Sequence, residues 1–222
     1  MNITEQEHNQ MYDSLRDYIN EVCIIRRPTG NKDFVLKSTV AGQNYEWQFY
    51  MRRGLMNPMF LRYVSLLFWE KYAEQWHKEK FQIAGLETGS TPLIVGLALH
   101  AHLFDVDISA FSIRKDRKKY GMLNRFEGLV ELNTPVMLVD DLCNSKNTLQ
   151  IAKKYCEEEG HTLYHTAFTV VNKNILPTDS SSYDKYIGSE LKVDSLFHHD
   201  DFELMYEDYI KAKNVTDNML TY

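Results

Sequence analysis

Two adjacent carboxylates, Asp140 and Asp141, stand at the end of an unbroken apolar run, Val136-Met137-Leu138-Val139. Neighbouring side chains on an extended backbone point to opposite sides, so one acid can face a ligand while the other turns away or makes a second contact. Small polar residues follow, Asn144-Ser145-Lys146-Asn147-Thr148, and then a helix-like segment from Leu149 to Glu159 closed by Gly160. The first N–H groups of a helix have no partner within it, and they suit a phosphate. A plainer reading makes the two acids caps of that helix. A second small-residue loop, Glu87-Thr88-Gly89-Ser90-Thr91-Pro92, precedes another helix-like segment, Leu93 to Leu103, and offers an anion site of the same kind. Between the two loops lies Arg114-Lys115-Asp116-Arg117-Lys118-Lys119-Tyr120-Gly121. On its own this cluster reads as a solvated loop or a nucleic-acid patch.

These groups need elements to hold them. An apolar run followed at once by a helix reads as a central strand of a parallel sheet, and α/β sheets place ligands in the loops at the carboxyl ends of such strands. Phe81 to Leu86, Asp105 to Ile113 and His161 to Val171 read as further strands, with Tyr186-Ile187-Gly188 and Leu191 to Phe197 as short final ones. Asn57-Pro58 opens a helix whose residues Met59 to Tyr72 are apolar almost all round, which places it in a covered layer. Thr4-Glu5-Gln6-Glu7 has the form of a capping box ahead of a stripe of Met11, Leu15, Tyr18, Ile19 and Val22. Phe34 to Ser38 and Tyr45 to Arg52 read as a hairpin. His198-His199-Asp200-Asp201 is rejected as a metal site because adjacent residues on one strand cannot converge on an ion. Asp200 instead caps a helix from Phe202 to Ala212, and 214–222 form a frayed tail. The expected fold is α/β, a mostly parallel central sheet flanked by helices, with residues 1–56 forming an N-terminal helix and hood hairpin and 57–213 the core.

With 222 residues, 44% of them hydrophobic, the chain can bury a substantial core. A net charge of −6 argues against a surface committed to nucleic acid. Three cysteines, Cys23, Cys143 and Cys156, show no metal-ligand spacing and predict a reducing, cytoplasmic setting without disulfides. No apolar run approaches the roughly 18 residues of a membrane span, and the polar, acidic start is not that of a signal peptide.

The acidic pair and the loop behind it resemble the phosphoribosyl-pyrophosphate (PRPP) motif of type I phosphoribosyltransferases. In that family the pair holds the ribose hydroxyls and the loop cradles the 5′-phosphate. Lys146 and Asn147 stand where the family usually has glycines. The basic cluster resembles the orotate-branch signature Arg-Lys-x-x-Lys-x-His-Gly through Arg114, Lys115, Lys118 and Gly121, with Tyr120 in place of histidine. The resemblance runs from Phe34 to about Phe202. It implies catalytic roles for Asp140, Asp141, Lys115 and Lys118, with Lys118 and Lys115 neutralising the departing pyrophosphate. It implies PRPP binding by Arg114, by Asn144 to Thr148 and by Thr88, Gly89 and Ser90. Lys37, Phe49, Tyr50 and Lys173 would meet the base, and Mg²⁺ would reach Asp140 and Asp141 indirectly, through PRPP and water. Orotate as the base and a homodimer are implied in the same way. Gly89 stands where the branch often has lysine, and Asn172 departs from its Asp-Arg pair. These changes, with Lys146 and Asn147, keep an alternative open: a weak or inactive relative that binds PRPP or a nucleotide as a regulator or defence-system effector.

Overall fold

The computed structural model describes residues 1–31, 34, 36–37, 44–116, 124–173 and 191–219. Helix α1 (Glu5–Tyr18) starts at the expected capping box: the Glu7 N–H donates to Thr4 Oγ1 at 3.3 Å, and the Thr4 N–H donates to the Glu7 carboxylate at 2.8 Å. Its stripe continues through a π turn, Ile19–Cys23, into β1 (Ile24–Arg26). Three short strands follow, β2 (Leu36–Lys37), β3 (Asn44–Tyr45) and β4 (Trp47–Phe49), then a single-turn helix α2 (Arg52–Leu55). Asn57 caps α3 (Pro58–Lys78), its side-chain oxygen accepting from the N–H groups of Met59 and Phe60. Next come β5 (Gln82–Leu86), α4 (Thr91–Ala101), β6 (Ala110–Ile113), β7 (Phe126–Gly128), β8 (Val136–Cys143) and α5 (Asn147–Glu158). The chain closes with β9 (Thr166–Asn172), β10 (Lys192–His198) and α6 (Tyr206–Met219).

Six strands form the central sheet in the order β10-β9-β8-β5-β6-β7, and all neighbours are parallel except β6 and β7. Strands β5, β8 and β9 are almost wholly buried because helices cover both faces, which is why their sequences read as continuous apolar runs. Alternate residues serve opposite faces. Ile83, Met137, Val139 and Phe168 join α1, α3 and α4, while Ala84, Leu138 and Ala167 join α5. Buried indoles on α3 keep their N–H groups satisfied, Trp69 donating to Leu97 O at 2.7 Å and Trp76 to Phe81 O at 2.9 Å. Trp69 is fully buried between α4 and the sheet, so its replacement by Ala costs about 3–5 kcal/mol.

Several expected boundaries shift. The strand carrying the acids does not end at them but runs on to Cys143. The 45–52 segment is shared: Tyr45 pairs with Leu36 as expected of a hairpin, but 47–49 pair antiparallel with β1, a strand too short to show in the sequence pattern. Residues 199–201 form a 3-10 turn in which the Asp201 carboxylate accepts from the His198 N–H at 2.7 Å, so the last helix starts at Tyr206 rather than Phe202. That helix also runs through 214–219, where a frayed tail was expected. The expected strand at 186–188 lies outside the described residues. All three cysteines are free and buried, and burial pushes the Cys23 and Cys156 thiols up to about 12. Among the described residues no helix is long and apolar enough to cross a membrane.

Candidate active site

The carboxyl ends of the parallel strands share one edge of the sheet, and the loops that matter leave from it: 87–90 after β5, the segment from Arg114 after β6, 144–148 after β8, and Lys173 after β9. Strand β8 brings in the acidic pair. Asp140 is only 5% exposed, and the Asp141 N–H donates to its Oδ1 at 3.0 Å. The pair does not diverge as alternation predicts. A Cβ placed on Gly89 would stand 3.7 Å from Oδ1 of Asp140 and equally 3.7 Å from Oδ1 of Asp141, so both carboxyls reach one point beneath the 87–90 loop. Burial first, and then the charge of Asp141, pushes Asp140 well above the usual carboxylate range, while Lys115 pulls it back. Burial raises Asp141 too, with hydrogen bonds and the Arg52 charge opposing it. A buried and a half-buried carboxyl this close favour sharing a proton until a hydroxyl donor or a cation arrives.

Residues 144–148 and Asp140 line a small cavity of about 50 Å³ at the head of α5. No side chain caps that helix, so its first amides are left for a ligand. Lys146 adopts φ 59° and ψ 0°, the left-handed region, whereas Asn147 is already the first residue of the helix. The lysine therefore carries the conformation for which a glycine would be the easy choice, at a cost on the order of 1 kcal/mol.

The 87–90 loop is built differently. Ser90 Oγ turns back to donate to Leu86 O at 2.7 Å. Glu87 points to the basic segment, accepting the Lys115 N–H at 3.2 Å and standing 3.9 Å from Arg114 Nη1. Arg114 Nη1 also lies 3.2 Å from Glu127. Two carboxylates thus hold the arginine that the sequence pattern offers to PRPP. Gly85, one residue before the end of β5, passes so close to β8 that a Cβ there would meet Val139 O at 2.4 Å.

Around the hood, the Lys173 ammonium sits over the rings of Tyr45 and Trp47, at 4.9 and 4.6 Å, and burial lowers its pKa. The Lys173 backbone N–H donates to Cys143 O at 2.7 Å, which fixes the residue beside the 144–148 loop. Asn172 is buried, and its side-chain oxygen has no partner among the described residues. Phe49 is 5% exposed and packs edge-on against Trp47 and Phe202, so it supports the hood from within rather than presenting a ring to a ligand. Tyr50 is 45% exposed, with Arg53 stacked 5.6 Å from its ring. Lys118, Tyr120 and Gly121 lie outside the described residues, as does the side chain of Lys37. The sequence reading missed Arg52, which reaches Thr88 Oγ1 at 3.4 Å. Its signal was the bare pair Arg52-Arg53 at the end of an apparent strand. In the sequence Tyr45 and Trp47 show only as strand formers, and the fold makes them the box around a lysine.

Fold and site together define an α/β protein whose acids, helix-head amides and cations converge at the carboxyl edge of a parallel sheet. No family model matches the chain. The orotate phosphoribosyltransferase of Pyrococcus horikoshii is 30% identical over 142 residues, 64% of this chain and 69% of that protein. That of Methanocaldococcus jannaschii is 27% identical over 141 residues, 64% of this chain and 73% of its own length. Among solved structures, a phosphoribosyltransferase from Corynebacterium diphtheriae has a TM-score of 0.64 at 18% identity, over 86% of this chain and 98% of that one. The orotate phosphoribosyltransferase of Mycobacterium tuberculosis in complex with PRPP gives 0.57 at 16% identity, over 90% and 93%. The chain belongs to the type I phosphoribosyltransferase family, among relatives named orotate phosphoribosyltransferase.

Proposed function

We propose that this protein transfers the 5-phosphoribosyl group of PRPP to a ring nitrogen of orotate and releases pyrophosphate. The observation that carries the reading is the meeting of the two carboxyl oxygens at one point under Gly89, with the free amides of α5 on the same edge. Asp140 and Asp141 hold the ribose hydroxyls. As the bond from the anomeric carbon to pyrophosphate breaks and the bond to the base nitrogen forms, positive charge grows on the sugar, and the two carboxylates stabilise it. Residues 144–148 take the 5′-phosphate, with Lys146 adding charge where amides alone would serve. Lys173, held by Tyr45 and Trp47, is the cation placed to meet an acidic base such as orotate.

The residues present fit Mg²⁺ as a companion of the substrate. Two carboxyls converge, yet no group of three or more His, Cys, Asp or Glu among the described residues could hold an ion by itself. Asp140 and Asp141 would hold it through water and PRPP, and when bound it supplies positive charge to the phosphates. A homodimer belongs to the same reading, and sedimentation tests it.

Arg114 held by Glu87 and Glu127 favours a second reading, a protein that binds PRPP without turning it over. Incubation with PRPP, Mg²⁺ and orotate separates the two. Release of pyrophosphate with formation of the nucleotide supports the transferase, PRPP binding without release supports the sensor, and turnover with adenine or uracil but not orotate rejects the orotate assignment.

A further inference from the structure

The loop after β5 carries no cation between Glu87 and Pro92, so the pyrophosphate end of the proposed substrate needs charge from elsewhere. Among the described residues the nearby cations other than Lys115 are mostly committed. Arg114 lies between two carboxylates, and Lys173 is enclosed by two rings. Arg53 donates to Val22 O at 3.2 Å and stacks on Tyr50. Arg52 is different. It is exposed, it forms no ion pair among the described residues, and its one hydrogen bond is a long 3.4 Å contact from Nη2 to Thr88 Oγ1. A guanidinium has five donors, so among the described residues four N–H groups remain for a ligand. Its charge opposes the burial that raises Asp141, so it lies within electrostatic reach of the acidic pair.

The element that carries Arg52 is held firmly. Met51 and Leu55 are buried on either side of it, Gly54 lies against the Phe60 ring with no room for a Cβ, and the Asn57 N–H donates to Gly54 O at 2.8 Å. A side chain on such a turn starts from a fixed backbone. We infer that Arg52, delivered from α2, is the catalytic cation that grips the pyrophosphate of PRPP over the 87–90 loop and stabilises it as it leaves. Arginine suits this role because its planar fork matches phosphate oxygens two at a time. The inference rests on the transferase or PRPP-binding reading above.

Calorimetric titration with PRPP, inorganic pyrophosphate and ribose 5-phosphate, each with Mg²⁺, tests it on wild type, Arg52→Ala, Arg52→Lys and a remote charge control, Arg16→Ala. The expected result is a roughly 10- to 100-fold loss of affinity for PRPP and pyrophosphate in Arg52→Ala, the usual worth of hydrogen bonds to a charged group. Ribose 5-phosphate binding and melting temperature stay unchanged, Arg52→Lys recovers part of the loss, and Arg16→Ala matches wild type. Wild-type binding of PRPP with no loss in Arg52→Ala, or an equal loss for ribose 5-phosphate, overturns the role of Arg52 and leaves the parent reading standing. A wild type that binds none of the three ligands overturns both.

Discussion

The loops after β5 and after β8 occupy equivalent places, each joining a buried parallel strand to a helix, yet they prepare for a ligand in opposite ways. The 144–148 loop is self-sufficient: it has its own cation in Lys146, its own left-handed turn at that residue, and uncapped amides at the head of α5. The 87–90 loop spends its polar groups on itself and its neighbours, Ser90 on Leu86 O and Glu87 on the basic segment, and leaves Gly89 open toward the acids. Arg52, 36 residues upstream of Thr88, reaches it from α2. A ligand site on this fold can thus be half written in one contiguous motif and half assembled from a distant turn.

The largest contrast comes from two glycines on either side of the end of β5. At Gly89 a Cβ has ordinary room, 3.7 Å from its nearest neighbours, and those neighbours are the carboxyl oxygens that would meet the sugar. Gly89→Leu should abolish PRPP binding while costing less stability than a side chain at Gly85, because its Cβ meets nothing closer than 3.7 Å. Gly85→Ala should do the reverse, because the backbone oxygen of Val139 cannot move aside; overpacking of this kind costs about 1–3 kcal/mol. Denaturant melts and PRPP titrations of both variants check the pair. Equal melting curves would erase the distinction between an open and a packed glycine.

A smaller effect separates the acids from the loops around them. Asp140 and Asp141 both titrate above the ordinary carboxylate range in the folded chain, chiefly through burial. Between the unfolded value of about 3.9 and the raised folded values, the native state binds more protons than the unfolded state. Stability therefore falls as pH rises through that window, and below it the penalty is absent. Asp140→Asn should melt above wild type at pH 8, with the gap closing toward pH 4. A gap that widens on acidification would contradict the buried, proton-sharing pair. For the same reason ligand binding that needs both charges should strengthen with pH and release a proton.

The smallest effect concerns Lys146. Replacing it with glycine removes a left-handed side chain and should raise stability by about 1 kcal/mol, or about 2–4 °C in a chain of this size. The same change should weaken ribose 5-phosphate binding, since the only cation within 144–148 is lost. Tighter ribose 5-phosphate binding would show that the lysine opposes the phosphate.

The sequence made β8, the acids and α5 legible because apolar run, carboxylates and polar loop are contiguous there. Strand β5 and its loop were legible for the same reason. What stayed hidden was non-local or short. Strands β1 and β7 have three residues each, too few for a period to show. The left-handed residue proved to be Lys146 rather than the more tolerant Asn147, because α5 begins one residue earlier than side-chain preference suggests. The meeting of the acids escaped because alternation sets where Cβ atoms point, whereas the reach of the carboxyl oxygens is set by the space beneath Gly89. Arg52 escaped because nothing in its neighbourhood along the chain points to the 87–90 loop.

The central claim, that Asp140 and Asp141 jointly hold the sugar of PRPP, is tested most directly by titrating PRPP and Mg²⁺ into wild type and into the double variant Asp140→Asn, Asp141→Asn. Wild type should bind saturably and the double variant not at all, while staying folded and melting higher at neutral pH. Equal binding by the two proteins would contradict it.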